Sequence, residues 1–126
     1  MSMTTTINHA QRRVFVKAEG LLTLNDIRTH LEEERVEAGL SYDELIDARG
    51  ISSDFSQQDV RVIADVLRRL AINSRIGPTA IIVDSDVEYG MLRMLGILIE
   101  DVCRVQPFRR QEEAEKWLAD LSKDVT

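Results

Sequence analysis

Apolar and polar positions alternate from Arg13 to Leu22, with Val14, Val16 and Ala18 on one side and Phe15, Lys17 and Glu19 on the other. A period of two in residues that favour extended backbone predicts a strand with one wetter face, closing at Gly20. Ahead of it, Met1 to Asn8 is polar, threonine-rich and without period. Residues 1–10 therefore read as a flexible segment or a short first strand, preceding a domain over 11–122. Beyond the strand, Thr23 or Asn25 can cap a helix in which Leu24, Ile27 and Leu31 follow helical spacing. Arg28 and Glu32 pair one turn apart there, and Gly39 stops the helix.

Tyr42 to Ala48, centred on Leu45 and Ile46, predicts the next strand, closed by Arg49 and Gly50. Ser56 then stands three residues before Asp59, the spacing of a capping box, in which side chain and backbone at the first turn bond reciprocally. A helix follows with Val60, Ile63, Leu67 and Leu70 as its inner stripe and Arg61, Asp65, Arg68 and Arg69 outside, running to Gly77-Pro78. Thr79 to Val83 is a continuous apolar, β-branched run, as a strand covered on both faces requires. Ser85 and Glu88 suggest a second capping box for a helix over Val87 to Glu100. Seven of the nine residues from Met91 to Ile99 are apolar and nearly encircle it. Cys103 to Phe108 reads as the last strand, where Pro107 lacks a ladder donor and so indicates an edge or a strand end. In the final helix Ala114, Trp117, Leu118 and Leu121 face inward.

The order is strand then helix, four times over, with crossovers long enough for parallel pairing. The expected fold is a single α/β domain with a mostly parallel (βα)n sheet of four to five strands and four helices. A length of 126 residues, 44% hydrophobic and 30% charged, suits one core and lies outside the disordered class. The formal charge of -6 argues against nucleic acid and anionic membrane as partners, since both reward clustered Lys and Arg. One cysteine, Cys103, and a start without the basic-then-apolar order of a signal peptide fit a reducing cytoplasm. The most apolar window, Tyr89 to Ile99, falls short of the roughly 20 residues that span a bilayer. No membrane insertion is expected.

Two local patterns, Leu45-Ile46-Asp47-x-x-Gly50-Ile51 and Glu112-Glu113-Ala114-Glu115-Lys116-Trp117-Leu118, together with the element order over roughly residues 13 to 121, resemble the SpoIIAA-like, STAS-related family. The resemblance implies a sheet of successive β-α units and no cofactor. In the family's anti-sigma-factor antagonists it further implies a serine at the start of the second helix, phosphorylated to break a protein contact. Ser56 is the positional match, with Ser52 and Ser53 in the loop ahead of it. Here the turn reads Asp54-Phe55-Ser56-Gln57-Gln58, whereas the antagonists carry an Asp-Ser-Ser-Gly type turn. Two readings of Ser56 stay open, a phosphorylation switch or a plain helix cap contributing about 1 kcal/mol.

Other chemistry is sparse. Asp47 and Asp84, near the expected carboxyl ends of strands, could bind magnesium together with Ser85 and Asp86, but no glycine-rich phosphate loop or nearby lysine supports phosphoryl transfer. His9 and His30 suggest no catalytic grouping, and Cys103, alternating with Val105, reads as a small buried hydrophobe. The surface formed by Met91, Leu92, Met94, Leu95 and Leu98 asks for a cover. It is wedged in the core, forms a homodimer seam, or lines a groove for an apolar or lipid-like molecule. The leading expectation is a non-catalytic module that regulates or binds a protein partner, without cofactor or metal. A binder of a small apolar ligand comes second, and a magnesium-dependent phosphoryl-transfer enzyme third.

Overall fold

The computed structural model describes residues 2–123. Five strands lie side by side in chain order: β1 (Ser2–Asn8), β2 (Arg13–Leu21), β3 (Asp43–Ser52), β4 (Thr79–Ile82) and β5 (Val105–Phe108). β1 and β2 pair antiparallel through a short turn, and β2 to β5 run parallel. The threonine-rich start is thus an edge strand, held by a register from Ser2 opposite Glu19 to Asn8 opposite Arg13. Pro107 sits in β5, the opposite edge, where its missing N–H leaves no inner ladder broken.

The register sorts side chains between two faces. Val14, Glu44, Thr79 and Val105 are aligned across one face, and so are Val16, Ile46 and Ile81. This face is covered by three helical pieces. The first is one continuous run, α1 (Leu24–Thr29), a π-helical segment (His30–Arg35) and the short α2 (Val36–Ala38), ended at Gly39 by a φ of 113° that a side chain would resist. The second is α3 (Gln57–Ala71) and the third α4 (Asp86–Leu98). Between them Val60, Ile63, Leu67, Leu95 and Ile99 form the larger core cluster. A Cβ at Gly96 would collide with the Val105 carbonyl, so the bare glycine lets α4 lie close on β5.

On the other face α5 (Gln111–Lys123) presses Ala114 and Leu118, both fully buried, onto Leu45, Ala80, Ile82 and Phe108. Burying a leucine such as Leu118 stabilises by roughly 1.5–3 kcal/mol. Trp117 lies tilted against Phe108 with ring centroids 5.5 Å apart. α5 reaches β3, β4 and β5, whereas Thr4, Thr6, Lys17 and Glu19 on β1 and β2 stay exposed. That open half is the wetter face expected of the alternating strand.

Several boundaries differ from expectation for identifiable reasons. α3 stops at Ala71 rather than reaching Gly77-Pro78, because Asn73 and Ser74 favour turns and the chain must straighten to bury Ile76. β3 continues to Ser52, because Gly50 and Ile51 still pair with Glu19 and Gly20 beyond a bulge in β3, where Ala48 and Arg49 oppose Ala18 alone. α4 covers Asp86 to Leu98 instead of Val87 to Glu100. Cys103 is buried as expected but precedes β5, its N–H donating to the Ile99 carbonyl in the turn after α4.

Candidate functional site

The first helix is launched by a capping box, the Thr23 hydroxyl accepting from the Asp26 N–H at 3.2 Å and the Asp26 carboxylate accepting from the Thr23 N–H at 2.9 Å. At His30 it widens into π geometry. In an α-helix five steps turn about 500°, leaving residues five positions apart about 140° away from each other round the axis. Bonding from i to i+5 instead brings residues five apart back to nearly one face. The π segment thereby lets His30 and Arg35 reach the same acceptor.

That acceptor is Glu44. Strand alternation points Glu44, Ile46 and Ala48 at the helix-covered face, so the carboxylate sits between Val14 and Thr79, 1% exposed. His30 Nε2 lies 2.6 Å from Glu44 Oε2, and Arg35 Nε is 3.4 Å from Oε1. The Thr79 hydroxyl donates to Oε1 at 3.4 Å. His30 Nδ1 meets Glu34 Oε2 at 2.7 Å, and the Thr5 hydroxyl donates to the same oxygen at 3.3 Å, so the chain of contacts runs from half-exposed Glu34 to the sheet interior. Arg35 spends its other donors on the carbonyls of Gly39 and Tyr42, each at 3.0 Å.

The cluster is electrically matched. Burial pushes the His30 imidazole toward its neutral form, but the hydrogen bond and charge of Glu44, then those of Glu34, outweigh it and raise its pKa above 6.5. Burial likewise opposes ionisation of Glu44, yet the His30 bond and the Arg35 charge win and hold it below 4.5. Both shifts favour the imidazolium–carboxylate form, in which both imidazole N–H groups donate to carboxylates.

His30, Glu44 and Thr79 form part of the wall of a cavity of about 130 Å³ between the sheet and the three helices. The rest of the lining is almost wholly apolar. Ala18, Ile46, Ala48 and Ile81 come from the sheet and Val83 from just past β4, Leu22, Ile27 and Leu31 from around the first helix, Val60, Ile63 and Leu67 from α3, and Met91, Leu92 and Leu95 from α4. Half-buried Ile51 near the end of β3 and Phe55 on the β3–α3 connection, with Met3 of β1 and Val105 of β5, complete it, and Glu88 on α4 is the remaining polar residue.

The serines are spread around this site in different roles. Ser56 caps α3, its hydroxyl accepting from the Asp59 N–H at 3.1 Å while its own N–H donates to Asp59 at 3.0 Å. Ser53 donates to Glu88 Oε1 at 3.0 Å, tying the β3–α3 connection to the first turn of α4. Ser52 is exposed at the end of β3, its carbonyl accepting from the Leu22 N–H at 2.9 Å. On α4, Met91, Leu92 and Leu95 line the cavity, whereas Met94 and Leu98 pack half-buried against the core without lining it. The outer side of α4 shows Val87 and Ile97.

The acidic residues do not converge. Asp47 lies within β3 rather than at its end and is clamped by Arg49 through two 2.9 Å bonds. Asp86 pairs with Arg109, which also donates to the Asp84 carbonyl at 2.6 Å. Among the described residues no three His, Cys, Asp or Glu side chains gather as a metal-binding group. Nor is any described helix long and apolar enough to cross a membrane.

The sequence suggested no catalytic grouping for His30, and its place in a buried ion-pair cluster was not foreseen. The missed signal was Glu44, two residues before Ile46 and four before Ala48 on the inner face, an acid in a core position that demands a cation nearby. His9, by contrast, is exposed and bonds the Tyr42 hydroxyl at 2.8 Å.

The chain resembles a crystal structure of an uncharacterised protein of the DUF3478 family with a SpoIIAA-like fold from Shewanella loihica PV-4. The TM-score is 0.62 at 18% identity, over 92% of this chain and 93% of the other. The fold is SpoIIAA-like. No family model and no curated protein matches the sequence.

Proposed function

We propose that this domain is a non-catalytic binding module that takes a small, mainly apolar molecule between its sheet and helices α1, α3 and α4. The observation that carries this reading is the 130 Å³ cavity with an apolar lining and the buried His30 and Glu44 in its wall. Apolar cavities of roughly 150 Å³ stay dry and take up benzene, so the space suits a ring-sized group. Against an acid–base role, both His30 nitrogens are held by carboxylates, leaving neither in reach of a substrate proton.

Thermal denaturation with millimolar benzene tests the reading. The midpoint of the native chain rises as ligand stabilises the folded state, and Leu92→Trp, which fills the cavity from its half-buried side, abolishes the rise. An unchanged midpoint for the native chain contradicts the proposal.

A protein-interaction reading draws support from a different place, the exposed apolar Ile72 just past α3, Val87 and Ile97 on α4, and the exposed Ser52 and Ser56 beside α3. Its regulatory version requires phosphate on Ser52, Ser53 or Ser56. Mass spectrometry after incubation with cell extract and ATP tests it, and three unmodified serines sink the switch.

A further inference from the structure

The polar atoms in the cavity wall have an asymmetry that apolar packing does not require. Four lining residues are polar: His30, Glu44, Thr79 and Glu88. Each donor among them is already used within the protein. His30 directs one nitrogen to Glu34 and the other to Glu44, and the Thr79 hydroxyl donates to Glu44. Arg35, the other cation on Glu44, is no part of the lining and is occupied by Glu44, Gly39 and Tyr42.

The acceptors are not used up. A carboxylate offers about four lone-pair sites. Glu44 makes one short contact, to His30, and two long ones of 3.4 Å at Oε1. Glu88 accepts from Ser53 at its Oε1. The wall therefore presents spare acceptors and no spare donor. A bound anion would meet two carboxylates without a donor to compensate, in a place where burial makes uncompensated charge costly.

We propose that the ligand of this cavity is a small, mainly apolar molecule carrying a hydroxyl or amino donor and no acidic group, its donor bonded to Glu44. This rests on the binding reading above and adds the ligand's polar chemistry. It opposes a fatty acid as occupant on two counts. The carboxylate lacks a donor, and about 130 Å³ accommodates a ring rather than a long chain.

Four probes of nearly equal shape separate the two claims: toluene, benzyl alcohol, benzylamine and benzoate, titrated into the native protein and followed by its NMR spectrum. Benzyl alcohol and benzylamine are expected to bind more tightly than toluene, and benzoate at least tenfold more weakly than benzyl alcohol. Glu44→Gln, which places an amide donor at the same point, narrows the gap between alcohol and benzoate. Should that variant fail to fold, the native series still decides. Benzoate binding as well as benzyl alcohol, or toluene binding more tightly than both donors, overturns the ligand class while leaving the cavity a binding site. Failure of all four to bind overturns both.

Discussion

His30 Nε2 and Glu44 Oε2 lie 2.6 Å apart, one on a π-helical turn and the other on the central strand, and both side chains are almost fully buried. An ion pair in such a place does not stabilise merely by existing, because the cost of desolvating both charges offsets much of their attraction. Removing one partner is a different matter, since the other is left charged and buried. Glu44→Ala is expected to lower stability by about 3–5 kcal/mol, measured by urea denaturation. A loss below about 1 kcal/mol would mean that the carboxylate is solvated and the cluster open to water.

The same pair predicts a pH dependence with a definite sign. The folded pKa of His30 is raised above 6.5, so its contribution is complete below pH 6.5 and is lost as pH climbs through the folded value. The folded pKa of Glu44 is lowered from 4.5, so its contribution is complete above pH 4.5 and is lost as pH falls through the folded value. The stability difference between the native chain and His30→Gln should thus be largest between pH 4.5 and 6.5 and shrink on either side. Groups facing the imidazole are Glu34 and Arg35 from its own helix and Glu44 from β3, so Glu34→Gln should move the alkaline limb downward. A difference that grows from pH 7 to 9 contradicts this account.

Ser56 can be tested as a cap independently of any modification. Ser56→Ala removes the acceptor for the Asp59 N–H and should cost about 1 kcal/mol. Ser56→Asp should cost almost nothing, because aspartate caps equally well and its charge suits the helix N-terminus. Thermal denaturation of the two variants side by side distinguishes a cap from an idle surface serine, for which both changes would be silent.

Cys103 should behave as packing rather than as a reagent. Burial pushes its thiol up to about 11, so little thiolate forms near neutrality. An aromatic disulfide reagent at pH 8 is expected to leave the native protein unmodified for hours and to label one thiol at once in denaturant. Rapid labelling of the native chain would place the side chain at the surface instead.

Much of the architecture was legible because it rests on local rules. The alternation at Val14, Val16 and Ala18, the β-branched run at Thr79 to Val83, the Ser56–Asp59 box and the stop at Gly39 are each decided by a few neighbouring residues. The site was not legible, since its parts meet only through pairing. Glu44 and Thr79 are 35 positions apart, and the β3–β4 register alone aligns them. The π turn that brings Arg35 round beside His30 carries no proline or glycine to announce it. On the greasy helix the five chosen residues split. Met91, Leu92 and Leu95 line the cavity, and Met94 and Leu98 do not.

That split supplies the most direct test of the cavity as a binding site. Met91 and Met94 sit three residues apart on α4, yet Met91 and Met3 line the cavity while Met94 packs outside it. In protein labelled with carbon-13 at the methionine methyls, benzyl alcohol should shift the signals of Met91 and Met3 in a saturable manner and leave Met94 in place. Unmoved Met91 and Met3 signals at millimolar ligand, or a shift centred on Met94, would contradict the account.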